Sequence, residues 1–209
     1  MRYVYLVKHP EAQHHVDGLV GGWHDSRLTG RGEQQAERIG EALAAKIGAQ
    51  EVEIISSDLQ RAQHTAERIA ARFSVSVRTD PRLREKSYGE ADGRPESWLK
   101  DRRVPPPEHG NRLDHLDGPQ GAETLRTLVD RLYPALDDIL RRPIDHQIIV
   151  SHGTASSYLI AAWIGMPREA TDRVFFRMAA GGITTLLRND WHFSQQVVRL
   201  NDTQHLSGI

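Results

Sequence analysis

The sequence predicts an α/β fold: a three-layer α/β/α sandwich on a mostly parallel sheet, with a lid-like insertion and a C-terminal antiparallel edge. Three observations carry this. Short β-branched runs alternate with longer segments of helical period, the signature of strand–helix–strand units. The stretch from Asp80 to about Gly121 breaks that alternation with glycine, proline and charge. The last thirty residues hold two strand-like runs around Asn189-Asp190, a hairpin signal. At 209 residues and 23.6 kDa, the chain fits one domain spanning 1–209.

Tyr3–Val7 opens the chain as a buried strand and stops at Lys8-His9-Pro10, where proline ends pairing. Residues 10–28 carry three glycines and no clean period, and read as a functional loop because few compact domains tolerate one so long. From Thr29, the expected cap, Ala36, Ile39, Leu43 and Ile47 share one helical face. Val52–Ile55 is a second strand, and Ser57-Asp58 is expected to cap a helix lined by Leu59, Ala62, Ala66, Ile69 and Phe73. Val75–Val77 is a weak third strand. The excursion that follows is expected to hold a short helix over Glu96–Lys100, with residues 94–120 as the lid. Ala122 to Leu140 returns to helix, with a kink at Pro134. Gln147–Val150 is the fourth strand, and a helix runs from about Thr154 to Ile164. Gly182–Leu187 and Phe193–Leu200 complete the hairpin, whose edge is either covered or free to pair in a homodimer.

Composition narrows the function. Twenty-seven basic against 28 acidic residues leave a net charge of −1, which argues against a nucleic-acid or membrane-surface partner. Without cysteine there is no thiolate nucleophile or Cys-type zinc site. The N-terminus lacks a signal-peptide pattern and no apolar run is long enough to span a bilayer, so a cytoplasmic protein is expected. Neither a Gly-x-Ser-x-Gly elbow nor a P-loop is present. Only four of the 27 basic residues are lysine, which makes each lysine conspicuous.

Ligands of such sheets lie at the carboxyl ends of the strands, and His9 and His152 both occupy strand ends. Arg61 falls in the first turn of a helix, where the dipole adds to its own charge. Ser151-His152-Gly153 opens another helix, whose free N–H groups can hold an anion. Glu85 lies in the loop after the third strand. Two imidazoles, two cations (Lys8 and Arg61) and one carboxylic acid around an anionic group are the expectation.

These residues resemble the histidine phosphatase superfamily, the phosphoglycerate-mutase-like branch 1. Leu6-Val-Lys-His-Pro-Glu-Ala12 is similar to the family's Leu-Val-Arg-His-Gly-Glu-Ala signature, and Leu28-Thr29, Gly32 and Gln35-Ala36 to the segment that follows it. Ser56-Ser57-Asp58-Leu59-Gln60-Arg61-Ala62 with Thr65-Ala66-Glu67, Leu83-x-Glu85 with Gly89 and Gly93, and Val150-Ser151-His152-Gly153 complete the ordered blocks, and Asn201-Asp-Thr-x-His205-Leu206 is similar to the family's tail. The resemblance implies a phosphatase acting on a small-molecule phosphomonoester without metal or other cofactor. It makes His9 the nucleophile that becomes phosphohistidine, and Glu85 the proton donor and then acceptor. His152, Lys8, Arg61 and the Gly153 amide would hold the phosphoryl oxygens. It also implies a mildly acidic to neutral optimum, which activity still climbing above pH 9 would contradict.

Three positions depart from the family pattern. Lys8 replaces an arginine, exchanging a planar fork for a point charge, and Pro10 replaces a glycine. His15 stands where the family often has asparagine, and is expected either to supply positive charge to the phosphate or to decorate a solvated loop. His9, His14, His15 and His24 lack metal-ligand spacing. In the lid, Trp98, Arg102, Arg103 and Arg112 are candidates to clamp a ring or a second anion, and Glu123 is expected in the first turn of the following helix. A phosphoglycerate-type mutase and a non-catalytic phosphate-binding regulator are the alternatives.

Overall fold

A computed structural model describes residues 1–209. Six strands form one sheet: β1 (Arg2–Lys8), β2 (Val52–Ser56), β3 (Val77–Thr79), β4 (His146–Ser151), β5 (Ile183–Asn189) and β6 (Ser194–Asp202). Their order is β3-β2-β4-β1-β5-β6. The first four pair in parallel, while β5 runs antiparallel to both β1 and β6, as the sequence predicts for the C-terminal edge. β4 is central, which explains its unbroken apolar run: both faces are covered, so no alternation is needed.

Two helical layers cover the sheet. Tyr5, Val7, Ile54, Ile148 and Val150 turn towards α2 (Gly30–Ile47) and α3 (Gln60–Ala70). Val4, Leu6, Ile55 and Ile149 turn the other way, onto α5 (Leu125–Leu140) and α6 (Gly153–Trp163). The two-residue period of β1 thus feeds two cores, each fully buried aliphatic side chain contributing about 1.5–3 kcal/mol. No helix is long and apolar enough to cross a membrane.

Several boundaries differ from expectation for local reasons. The 10–28 loop contains one helical turn, α1 (Gln13–Val16), and is tied down by bridges Ala12–Leu28 and Leu19–Pro95. The third strand starts two residues late, because Ser74 at φ 55° ends the preceding turn and leaves Val75 at the surface. Leu59, not Ser57-Asp58, occupies the α3 N-cap; Asp58 is instead drawn into a two-pronged ion pair with Arg84. The expected helix from Ala122 begins at Leu125, with Thr124 accepting from the Thr127 N–H, and it continues through Pro134. The short helix of the 94–120 segment, α4, spans Glu96–Arg102, two residues longer at its end than expected.

Thr29 caps α2 as expected, its side chain accepting from the Gly32 N–H. Gly32 also explains how α2 meets the loop after β1. A Cβ there would lie 1.9 Å from the Glu11 carbonyl oxygen, and that backbone cannot yield without moving β1's exit. Gly32→Ala is therefore expected to destabilise by about 1–3 kcal/mol, read as a melting-temperature drop at roughly 2–4 °C per kcal/mol. An unchanged melting temperature would contradict the close approach.

Candidate active site

Sheet register brings the two histidines together. Lys8 pairs with Ser151 across β1 and β4, and the His9 N–H donates to the Ser151 carbonyl at 3.0 Å. His9 and His152 therefore leave adjacent strands side by side, with ring centroids 5.1 Å apart and their planes at 65°. Both are buried. His9 Nδ1 lies 2.8 Å from the Pro10 carbonyl; since that oxygen can only accept, Nδ1 carries the proton and Nε2 keeps a lone pair. The backbone carbonyl of residue 10 thus fixes the imidazole tautomer, which the proline found there leaves intact.

Arg61 sits in the first turn of α3, 1 % exposed. Its Nε donates to His9 Nε2 at 3.2 Å. Its Nη1 and Nη2 donate to the His24 and Gly22 carbonyls, both at 2.7 Å. No carboxylate pairs with it. A buried cation whose direct partners are carbonyls and an imidazole, with Glu85, Asp25 and Asp92 opposing its desolvation only from beyond pairing distance, is an open position for an anion. Gly22 makes the arrangement: at φ +40° it lies where a Cβ would come within 1.7 Å of an Asp92 oxygen. His152 adds a second open position. Its Nε2 lies 2.8 Å from the Ser57 hydroxyl, while its buried Nδ1 has no partner, an arrangement worth about 1–3 kcal/mol to any group that satisfies it.

Glu85 arrives from the loop after β3. Oε1 accepts from the Lys86 and Ala155 N–H groups, and Oε2 from the Thr154 N–H at 3.0 Å. The carboxylate therefore caps α6, leaving the Gly153 N–H as the first free donor of that helix. Gly153 is close to both charged groups, its Cβ position being 3.4 Å from Lys8 Nζ and 3.6 Å from Glu85 Oε2. Lys8 Nζ donates to the Met178 carbonyl at 3.2 Å, which leaves it two further N–H groups. The Glu85 loop is held by a residue the sequence reading missed. Arg131 of α5 donates to the carbonyls of Arg82, Arg84 and Glu85 and pairs with Glu123 at 2.8 Å. Glu123 is thus not in the helix, as expected, but ahead of it, where it also accepts from the Ser87 N–H. The clue to Arg131 was its place one turn after Leu128 and beside Leu132, a charge at the rim of an apolar face.

A cavity of about 650 Å³ gathers most of the expected residues: Lys8, His9, His15, Arg61 and Glu85 line it. His152 and Gly153 do not line it, but Gly153 adjoins Lys8 and Glu85, which do. The 94–120 segment contributes through Lys100 and Arg103, with Ser97 and Leu99. Trp98 and Arg102, expected to clamp ligand, instead stack on each other with the guanidinium carbon 4.2 Å from the ring centroid, and neither lines the cavity. Arg112 donates to the Pro107 carbonyl and faces a second cavity with Arg103. Three of the four lysines, Lys8, Lys86 and Lys100, border one cavity or the other.

Burial and surrounding cations keep these histidines neutral. Burial first, then the Arg61 charge, pushes His9 and His152 well below the usual imidazole range. His14 falls to about 3 and His15 to about 4, again mainly through burial, with cations adding to it. Burial lowers Lys8 too, Glu85 partly opposing it, and lowers Arg61 to about 10, where it stays charged at neutral pH. Burial and the nearby cations thus oppose a positive charge on His15, one of its two expected roles. The Ala12 N–H donates to His15 Nδ1 at 3.1 Å, so Nε2 carries the proton and the ring offers a neutral donor.

The profile of the histidine phosphatase superfamily (branch 1) matches residues 4–203. The chain is 35 % identical to the probable phosphoglycerate mutase GpmB of Salmonella paratyphi C, over 99 % of this chain and 95 % of that one. Among solved structures, a mycobacterial glucosyl-3-phosphoglycerate phosphatase in complex with VO3 superposes with a TM-score of 0.80 at 25 % identity, covering 97 % of this chain and all of that one. The alpha-ribazole phosphatase from Shigella flexneri gives 0.78 at 26 % identity, over 96 % of each chain.

Folded-state histidines held below their ordinary pKa refuse protons that the unfolded chain accepts. Stability is therefore expected to be full above about pH 6.5 and to fall as the pH drops below it. Thermal unfolding between pH 7 and 4.5 reads this directly, with a shallower fall for His14→Gln. A flat melting temperature across that window would contradict neutral, buried imidazoles.

Proposed function

The chain belongs to the histidine phosphatase superfamily, branch 1, and on that premise we propose that it hydrolyses a small-molecule phosphomonoester through a phosphohistidine formed on His9. The observation that carries this is the buried, carboxylate-free guanidinium of Arg61 beside the lone pair of His9 Nε2. When a phosphoryl group enters, the Arg61 N–H passes from the imidazole to a phosphoryl oxygen and uncovers the nucleophile. Nε2 attacks phosphorus in line with the leaving oxygen. Arg61, Lys8, the Gly153 N–H and His152 stabilise the charge spreading over the equatorial oxygens. Glu85 gives a proton to the departing oxygen and takes one from the water that releases phosphate. Oε2 suits that exchange, because it accepts one backbone N–H while Oε1 accepts two.

Support for a hydrolase comes from the relatives named as phosphatases among the solved structures. The mutase reading draws on the name of the GpmB relative, and requires the phosphoryl group to return to substrate instead of water. A phosphohistidine that forms and does not turn over would favour it. Binding of phosphate without transfer would favour a regulatory protein.

Hydrolysis of p-nitrophenyl phosphate in EDTA tests the main reading: turnover is expected in the wild type and none in His9→Ala. Persistent turnover in His9→Ala would overturn it. Lys8→Arg, by restoring a two-pronged grip, is expected to raise kcat/KM. The neutral donor at position 15 makes a second test. His15→Ala is expected to lose about 10-fold in kcat/KM, one charge-assisted hydrogen bond to phosphate, and His15→Asn to retain most of it. Equal losses in both variants would show that His15 Nε2 does not reach the phosphoryl group.

A further inference from the structure

A second cavity of about 550 Å³ meets the first at Tyr88 and Arg103, which border both. Its floor contains Tyr158, only 4 % exposed, whose ring is pushed up to about 12 by burial and neighbouring carboxylates, with no hydrogen bond contributing. A buried phenol facing a cavity without a protein partner is an unmet donor and acceptor. Beside it stand Asp172, which makes no ion pair, and the side chain of Thr154. Apolar faces come from Pro105 and Pro106, and from Phe175, 59 % exposed.

Part of the charge of this cavity is already paired. Lys86 pairs with Asp117, and Arg103 approaches the same carboxylate at 3.8 Å. The Arg112 guanidinium donates to the carbonyls of Pro107 and Glu108, and His115 Nε2 donates to that of Val104 at 2.9 Å. Lys86 and Asp117 thus satisfy each other, while the Asp172 carboxylate and the Tyr158 phenol remain free. A free carboxylate beside a free phenol suits hydroxyl groups, which both donate and accept. Flat apolar surfaces opposite them match the C–H face of a pyranose or furanose ring.

We propose that this cavity is a glycosyl subsite: the substrate carries, beside its phosphate, a neutral sugar ring that reaches past Tyr88 and Arg103 onto Tyr158, Asp172 and Phe175. This rests on the phosphatase reading and narrows it to phosphomonoesters of glycosides or disaccharides. Lys86 and Asp117 then act as the rigid floor and not as ligands.

Steady-state hydrolysis of ethyl phosphate, phenyl phosphate, adenosine 5′-monophosphate and trehalose 6-phosphate by the intact chain tests the subsite. Trehalose 6-phosphate is expected to exceed ethyl phosphate in kcat/KM by about 100-fold. Tyr158→Phe and Asp172→Asn should each remove about 10-fold of that preference and leave ethyl phosphate unchanged. Phe175→Ala, at an exposed rim, supplies the same readout if Tyr158→Phe lowers the melting temperature. A flat panel, a preference for phenyl phosphate or the nucleotide, or equal losses on ethyl and trehalose phosphates would overturn the proposal. If no phosphomonoester is hydrolysed, the phosphatase reading fails by itself, and calorimetry with trehalose 6-phosphate decides the subsite. Weaker binding to Tyr158→Phe, with inorganic phosphate binding unaltered, upholds it; equal binding overturns it.

Discussion

The contact between the Arg61 guanidinium and His9 Nε2 is the constraint on which the rest of the site depends. It places a full positive charge out of water with carbonyls and an imidazole for company and no carboxylate. Such a charge is tolerated only where it rests at a helix N-terminus among oriented dipoles, and the surrounding chain is shaped to provide them. Gly22 adopts a backbone conformation closed to other residues in order to present its carbonyl. The loop after β1 folds back so that the His24 carbonyl reaches the other nitrogen. Burial, with that charge adding to it, then keeps four neighbouring imidazoles neutral, so the nucleophile retains its lone pair without any base to deprotonate it.

The second constraint is the position of Glu85, on a loop with no secondary structure to hold it. Two devices fix it from opposite sides. The N-terminus of α6 receives the carboxylate, and Arg131, braced by Glu123, gathers the carbonyl groups of Arg82, Arg84 and Glu85 beneath the loop. Arg131 touches no reacting atom; it is a positioning residue whose charge also depresses His152. The Ser151 hydroxyl adds a further tie to the Leu83 carbonyl, so the acid and the second histidine are registered to one strand end.

The parts of the fold that were legible in the sequence are those where burial dictates residue type. β1 and β4 read as strands because central parallel strands need apolar side chains on both faces, and the histidines that follow mark their ends. α2 was legible from its stripe and from Thr29. What escaped was decided by long-range partners. Asp58 looked like a cap, but Arg84, 26 residues away, claims it. Glu123 looked like a helix residue, but Arg131 holds it ahead of the helix. The direction of side chains on α4 is set by contacts with residues 18–20, since the Glu96 N–H donates to the Gly18 carbonyl and Leu19 bridges to Pro95. That rotation points Lys100 and Arg103 inward and Trp98 and Arg102 away, which no local pattern encodes. The second cavity was invisible for the same reason: its walls come from four separate stretches of chain.

The central claim is that Arg61 holds His9 ready to accept a phosphoryl group. Rapid quench of the protein with a 32P-labelled phosphomonoester, followed by peptide mapping, tests it most directly. The account predicts an acid-labile, base-stable label on the peptide containing His9, absent from His9→Ala and formed far more slowly in Arg61→Gln. A label that stays on the His9→Ala protein, or an Arg61→Gln protein that is phosphorylated as fast as the wild type, would contradict it.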